Sequence, residues 1–513
     1  MRRLLALVLF APLLLVGVSA HAQAGWSTPF EVSDTARFSW FPDLVAGSDG
    51  AIHIFWASGN SDPTHPGDGT KAIDLLRYRV LRDGVWLPTN DILFTGVGGY
   101  TVRNSTVLGR DSRIHVLVRM QTQLYTISAN EIDAWSARAW STPEPVSPPG
   151  GYYTALGIDS RNTLHALWSQ AMVDDPQKPR KECANCSDLF YRSSRDGGKT
   201  WSTPQNLSQT DDGENRPQIV IDGRDHLHAV WDQGVDWYAG GGVPKYGVYR
   251  RSDDGGSSWT TAVRFGSPEE PIQQIALTTS PEGNPFVVYR SAKTDRLFYQ
   301  WSNDEGTNWT SPVEIPIVRG RNLNDNNLDR YSLATDSAGK IHLLMSGFIA
   351  GSASDTASEN PWLLHLVWNG QAWSVPQVVM GNELYPEWPR IIVYGGNQLH
   401  AVWFTRHKED LFGSDKGAHY QVWYSTLTTD APAVAPPPTF TSVPTTVPTV
   451  LATSTPAPSP TPLPAPILAA PTTGGPPRWE QQGIVMMVMA LLPTLGVLGL
   501  IIGGIIAVRH RHQ

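Results

Sequence analysis

The chain has 513 residues, 41% of them hydrophobic, with 20 Trp, 41 Pro and a formal net charge of -8. That length fits one large repeat domain with appendages, and the mild acidity, without a Lys/Arg cluster to neutralise phosphates, excludes nucleic acid as a partner. Cys183 and Cys186 are the only cysteines, which excludes a scaffold built on disulfides.

In chain order, a basic Met1-Arg-Arg, an apolar stretch over residues 4–18 and the small residues ending in Ala22-Gln-Ala24 predict a secretory signal peptide over residues 1–24. A strand-like Trp26-Ser-Thr-Pro-Phe-Glu-Val32 follows, and it matches Trp140-Ser-Thr-Pro143 and Trp201-Ser-Thr-Pro204 further on. Then a phrase recurs: an apolar strand, Asp or Ser near a Gly, and an apolar-His-apolar-apolar-Trp run. Its copies cover residues 41–56, 104–119, 153–168, 216–231, 272–290, 330–346 and 389–404. The His falls at 53, 115, 165, 228, 342 and 400, with Pro285 near that place in the fifth copy. Repeats at roughly 50–65 residues with four short strands each predict a propeller.

Each unit reads as strands A to D, with weakened C–D turns at Arg82-Asp-Gly-Val-Trp86 and Trp368-Asn-Gly-Gln-Ala-Trp373. The seventh unit has no D strand, and the orphan strand at residues 26–32 supplies one, leaving no long open edge. The expectation is an all-β, seven-bladed β-propeller over residues 25–428, with four-stranded antiparallel blades and the ring closed by the N-terminal strand.

Residues 429–478, rich in Pro, Thr and Ala, read as a disordered linker. The uncharged residues 483–508 are long enough to cross a bilayer as a transmembrane helix, with Trp479 at one edge and a short cytoplasmic tail, residues 509–513, at the other. The expected location is the cell membrane, single-pass, with the N-terminal domain extracytoplasmic.

Three C–D turns share the frame Ser-x-Asp-x-Gly-x-x-Trp: Ser194-Arg-Asp-Gly-Gly-Lys-Thr-Trp201, Ser252-Asp-Asp-Gly-Gly-Ser-Ser-Trp259 and Ser302-Asn-Asp-Glu-Gly-Thr-Asn-Trp309. The Asp can accept backbone N–H bonds of its own turn, the Gly supplies a positive φ, and the Trp starts the outgoing strand. This frame is the Asp-box, or BNR repeat, and the chain resembles the sialidase-like Asp-box β-propeller superfamily over about residues 25–427. The resemblance implies the fold but not the catalytic set. Where sialidases open the first inner strand with an Arg, Trp40-Phe-Pro42 stands here. Glu214-Asn-Arg216 departs from the family's fourth-unit phrase, and only Tyr331-Ser-Leu333 is similar to the phrase around the nucleophilic Tyr. Tyr331, Glu214, Asp329 and Glu387 are therefore weak catalytic candidates.

The starts of the A strands point at the central channel. Trp40, Arg103, Arg216, Arg330, Tyr331, Trp388 and Arg390 form a candidate ligand-binding funnel. Guanidinium groups fork onto carboxylate or sulfate and flat rings stack on sugars, although a water-filled channel also needs a lining. The expected partner is an extracellular glycan, an anionic carbohydrate above all, or a protein, recognised by a monomer. The alternative is a sialidase-like glycoside hydrolase or polysaccharide lyase acting on anionic sugars.

No metal ligand set is read from the sequence, and the repeated His are assigned to packing between units. Asn324-Asp-Asn-Asn-Leu-Asp329 offers oxygen ligands for a structural Ca²⁺ or forms a plain polar loop. Cys183 and Cys186 are expected to pair as a local disulfide outside the cytoplasm.

Overall fold

The computed structural model describes residues 25–33, 38–60, 73–97, 102–172, 187–234, 244–321, 330–351, 361–381, 384–407 and 420–435. The signal peptide, the Cys183/Cys186 pair, the polar loop with Asp329, most of the linker and the transmembrane segment fall outside these residues. Among the described residues no helix is long and apolar enough to cross a membrane.

The fold is all-β and propeller-like. Its strands run as antiparallel meanders, each starting with an inner strand: Phe38–Ala46, Asn104–Leu108, Gly151–Ile158, Glu214–Ile221, Ile272–Thr279, Ser332–Thr335 and Tyr385–Tyr394. Seven separate four-stranded sheets were expected, but the strands form six sheets. Five of them have four or five strands, and the sixth has eight. The reason is a pairing no local pattern announces. Val318–Gly320, at the end of Val313–Gly320, hydrogen-bonds across to Gly347–Ile349, at the end of Ile341–Ile349, and joins two meanders edge to edge.

The closing strand behaves as its sequence predicts. Phe30 pairs with Tyr424 and Glu31 with Trp423, so the chain's first strand completes the sheet of its last. The ladder itself is shorter than the seven-residue match. It is extended at each end by the Ser27 N–H donating to the Thr426 carbonyl (2.8 Å) and Val32 to Val422 (2.7 Å).

The core lies within and between the sheets. Trp56, Trp168, Trp231 and Trp403 end the repeated phrase in four units, and each is fully buried. The predicted His positions are equivalent and buried in all six cases. In four of them Nδ1 faces the hydroxyl of a Tyr on the next strand of the same sheet: His53–Tyr78, His165–Tyr191 and His228–Tyr249 at 2.8 Å, and His400–Tyr424 at 2.7 Å.

The Asp-boxes have the expected local chemistry. In the first, Asp196 accepts from the Thr200 N–H (2.9 Å) and hydroxyl (2.6 Å), Ser194 caps the Gly198 N–H (2.9 Å), and Trp201 Nε1 donates to the Gly198 carbonyl (3.1 Å). They also reach the preceding unit. The Tyr191 hydroxyl donates to the Gly255 carbonyl (3.1 Å), and Trp259 stands edge-on to the Tyr191 ring at 5.2 Å. Tyr249 and Trp309 repeat that edge-on contact at 5.1 Å. His, Tyr and the next Asp-box thus form one latch between neighbouring units.

Residues 431–435 leave the last strand across the A–B turns. The Val434 N–H donates to the Gly395 carbonyl (2.8 Å) and Ser337 Oγ to the Pro432 carbonyl (2.5 Å). This end of the channel, the far one from the starts of the inner strands, opens into a cavity of about 910 Å³.

Candidate functional site

Five of the seven inner strands share an irregularity at their first turn into the channel. Their pairing with the next strand slips between Trp40 and Asp43, Gly151 and Thr154, Asn215 and Gln218, Gln273 and Ala276, and Glu387 and Arg390. These are β-bulges, which re-aim side chains and gather near functional sites. In four of them a non-glycine residue takes a left-handed backbone: Phe41 (φ 49°), Arg216 (φ 52°), Gln274 (φ 58°) and Trp388 (φ 53°). Such a conformation costs on the order of 1 kcal/mol or more per residue and persists only where the surroundings impose it.

The re-aimed side chains meet. The Arg103 guanidinium lies 3.5 Å from the centre of the Phe41 ring, 4.6 Å from Trp388 and 4.9 Å from Tyr153. Arg330 lies 4.9 Å from the Trp388 ring, so that indole is shared by two guanidinium groups. Trp388 is parallel to Tyr153 at 6.3 Å and edge-on to Phe41 at 5.3 Å. Cation–π contacts of this kind favour the charged arginine where water is scarce.

Two carboxylates hold part of the group. Arg390 Nε donates to Asp43 Oδ1 at 2.8 Å, and the Thr106 N–H fills Asp43 Oδ2. Arg216 Nη1 donates to Asp232 at 3.1 Å, and Asp232 also accepts the Gln274 and Ile275 N–H groups of the next bulge, both at 3.0 Å. Burial pushes the Asp232 carboxyl up, against the pull of Arg216. Burial likewise raises the Tyr153 phenol, against Arg216 and Arg103.

Arg330 is different. It is 8% exposed, its Nε has no hydrogen-bond partner, and among the described residues it has no ion pair. Burial, with Arg390, Arg103 and Arg216 close by, drives its pKa well below the usual arginine value. Arg103 Nε and Nη1 are also without hydrogen-bond partners, while its Nη2 donates to the Tyr152 hydroxyl at 3.1 Å. Directly along the channel lies a cavity of about 130 Å³ lined by Ser105, Thr154, Gln218, Ser332, Arg330 and Arg390. It offers hydroxyls, an amide and two cations to whatever fills it.

Of the funnel residues, Arg103, Arg216, Arg330, Trp388 and Arg390 come together. Trp40 sits at the rim, stacked on Phe41 at 4.8 Å and beside Tyr420. Tyr331 does not join: its ring packs in the apolar cluster with Leu297, Val318, Leu333 and Met345. The catalytic candidates are also turned away. Glu387 is fully buried, with its oxygens held by Arg321 and by Arg406 at 2.5 and 2.7 Å. Burial disfavours the Arg406 charge, yet the Glu387 carboxylate outweighs it and raises the Arg406 pKa. Glu214 is fully buried, accepts from Trp231 Nε1 and the Thr210 hydroxyl at 2.5 Å each, and is pushed well above the carboxylate range by that burial. Asp329 lies outside the described residues.

The sequence reading missed Phe41, Asp43, Gln218 and Asp232. The signal was a Pro directly after the left-handed residue in three inner strands, at Pro42, Pro217 and Pro389, which aligns the bulges.

A BNR repeat-like domain is recognised over residues 127–355, which include all three Asp-boxes. Over that stretch the chain is similar to BNR-repeat domains. No curated protein matches the sequence. Among solved structures, an ulvan lyase from a new family of polysaccharide lyases, bound to -[GlcA(1-4)Rha3S]-, is similar with a TM-score of 0.51. It is 11% identical, and the match covers 77% of this chain and 96% of that one. A protein of unknown function from Dyadobacter fermentans gives 0.45 at 13% identity, covering 80% of this chain and all of that one. The NanB sialidase of Streptococcus pneumoniae, as its K499G mutant, gives 0.43 at 12% identity, covering 78% and 70%. What this chain shares with the lyase is the fold.

Proposed function

We propose that this protein recognises an anionic carbohydrate at the arginine end of its channel, without transforming it. We read the eight-stranded sheet as two blades fused along Val318–Gly320, so that seven blades surround the site. We further propose that the domain is extracytoplasmic and tethered by the apolar residues 483–508.

The observation that carries the reading is Arg330, a buried guanidinium without a counter-ion among the described residues and beside three further arginines. The four arginines face two carboxylates, Asp43 and Asp232, and that excess of positive charge in a buried site attracts a carboxylate or sulfate. Phe41, Tyr153 and Trp388 are buried against Arg103 and Arg330 and hold those guanidinium groups in place. The engagement of Glu387 and Glu214 supports binding over hydrolysis, since a glycosidase needs a pair of carboxyl groups free to flank the bond. Similarity of fold to an ulvan lyase makes acidic, sulfated oligosaccharides the first probes to try.

The test is calorimetric titration of the full chain with uronate-bearing and sulfated oligosaccharides, neutral oligosaccharides serving as controls. Acidic sugars should bind, and Arg330→Ala and Arg390→Ala should each weaken them about ten- to a hundred-fold, the value of a charge-assisted hydrogen bond. Equal binding of neutral sugars would refute the anionic reading, and release of cleaved product would replace binding with catalysis.

A further inference from the structure

A second group of residues lies at the other end of the molecule, in the first A–B turn. Its explanation begins with the sister turns. Asp159, Asp222 and Asp336 each close their turn by accepting backbone N–H groups, and each carboxylate faces Nε2 of the repeated His: His165 at 3.6 Å, His228 at 3.5 Å and His342 at 3.2 Å. In the first unit that Asp is replaced. Gly47 takes its place, shown by the same backbone bond, Gly47 N–H to the Ala51 carbonyl at 2.7 Å, as Asp159 N–H makes to Thr163.

The space left beside Gly47 is not filled by carbon. A Cβ at Gly47 would lie 2.7 Å from Asp49 Oδ1, 2.9 Å from Glu131 Oε2 and 3.0 Å from His53 Nε2. Three ligand atoms, two from this turn and its strand and one from the next unit, therefore converge on one point, all within 4.8 Å of one another. His53 is fully buried and its Nε2 has no hydrogen-bond partner. Its Nδ1 is 2.8 Å from the Tyr78 hydroxyl. With the proton on Nδ1, donated to Tyr78, the Nε2 lone pair points into the void, the arrangement in which histidines bind metals.

We propose that Asp49, His53 and Glu131 form a divalent transition-metal site, with zinc the best-matched ion. One imidazole and two carboxylates suit Zn²⁺ in composition, whereas Ca²⁺ takes oxygen ligands alone. The remaining contacts act as supports. Arg82 Nε lies 3.3 Å from Asp49 Oδ2, the other oxygen, and Asp49 Oδ1 also accepts the Ala51 N–H at 3.0 Å. Glu131 accepts from the Ser48 N–H at 2.8 Å and from the Ser48 hydroxyl, and its carbonyl accepts from Arg82 Nη2 at 3.5 Å. Asp49 is half exposed, so an ion reaches the site from solvent and keeps an open position. Glu131 directly follows Gln123–Asn130 of the neighbouring sheet, so the ion would tie the first unit to the second.

The experiment uses the full chain stripped with EDTA and then titrated with ZnCl₂, with bound metal counted after desalting and melting followed in parallel. One equivalent more of zinc is expected on the wild type than on Asp49→Asn or Glu131→Gln, together with a zinc-dependent rise in the melting midpoint that those variants lack. Asp49→Asn changes an exposed side chain and keeps the Ala51 contact, so a fold defect would not mask its result. The same zinc count on wild type and all variants, with CaCl₂ as effective as ZnCl₂ or neither effective, overturns the proposal.

Discussion

Burial pushes the imidazoles of His53, His115 and His400 down to about 4, and that of His365 to about 3. The unfolded chain binds those protons near pH 6.5, so between pH 6.5 and 4 it holds more protons than the fold does. Stability from these groups is whole above pH 6.5 and is lost as pH falls toward 4. Below that, Asp159 and Asp222 continue the loss, since the backbone N–H groups of their turns and the facing imidazoles together outweigh burial and hold both carboxyls well below their usual value. The melting midpoint of the EDTA-treated protein should therefore decline steadily from pH 6.5 to 4. A flat profile there would mean that the imidazoles take up protons in place. The six positions of His were legible because each strand carries the same short phrase. What the sequence did not disclose is which neighbour each one meets, His165 an Asp and His53 an empty place beside Gly47.

The Asp-box is a local turn whose cost and benefit lie partly in the next sheet. A Cβ on Gly256 would sit 1.9 Å from the Tyr191 hydroxyl, and Gly256 has a φ of 86°. Gly256→Ala combines that overlap with a left-handed backbone, and it should destabilise by about 3 kcal/mol in chemical denaturation. Gly223→Ala is the control, since nothing lies within 4 Å of its Cβ position. Equal losses for the two would remove the latch from the account. The inner strands show the reverse case, in which local pattern misleads. Glu387 and Arg390 both stand at the start of Tyr385–Tyr394, yet the bulge between them sends Arg390 to the channel and Glu387 to Arg321 and Arg406. In a strand a slip of one residue exchanges the faces, and no property of Glu387, Glu214 or Tyr331 as residues records the slip. The fused sheet was hidden for a related reason, because the partners of Val318–Gly320 lie across a turn and an inner strand.

At the scale of the whole molecule, closure depends on a very short strand. Phe30 and Glu31 supply the outer rungs against Tyr424 and Trp423, Trp26 packs edge-on to His365 at 5.2 Å, and Phe30 stacks on Trp86 at 4.9 Å. Deleting residues 25–33 strips the last sheet of its fourth strand and exposes the edge of Gln421–Thr428. The truncated protein should melt at a clearly lower and broader midpoint than the full chain. An unchanged midpoint would show that the ring holds without its seam. The same geometry gives the protein a mechanical direction. Tension entering from residue 435 first peels Val434 from Gly395, and then reaches Gln421–Thr428, which is bonded along its whole length to Gln398–Arg406 by eight residue pairs. Those rungs bear the load together, as a lap joint does, whereas the two-residue strand beside them bears little. The arginine mouth lies at the opposite end of the channel from residue 435, so such tension would enter the ring away from it.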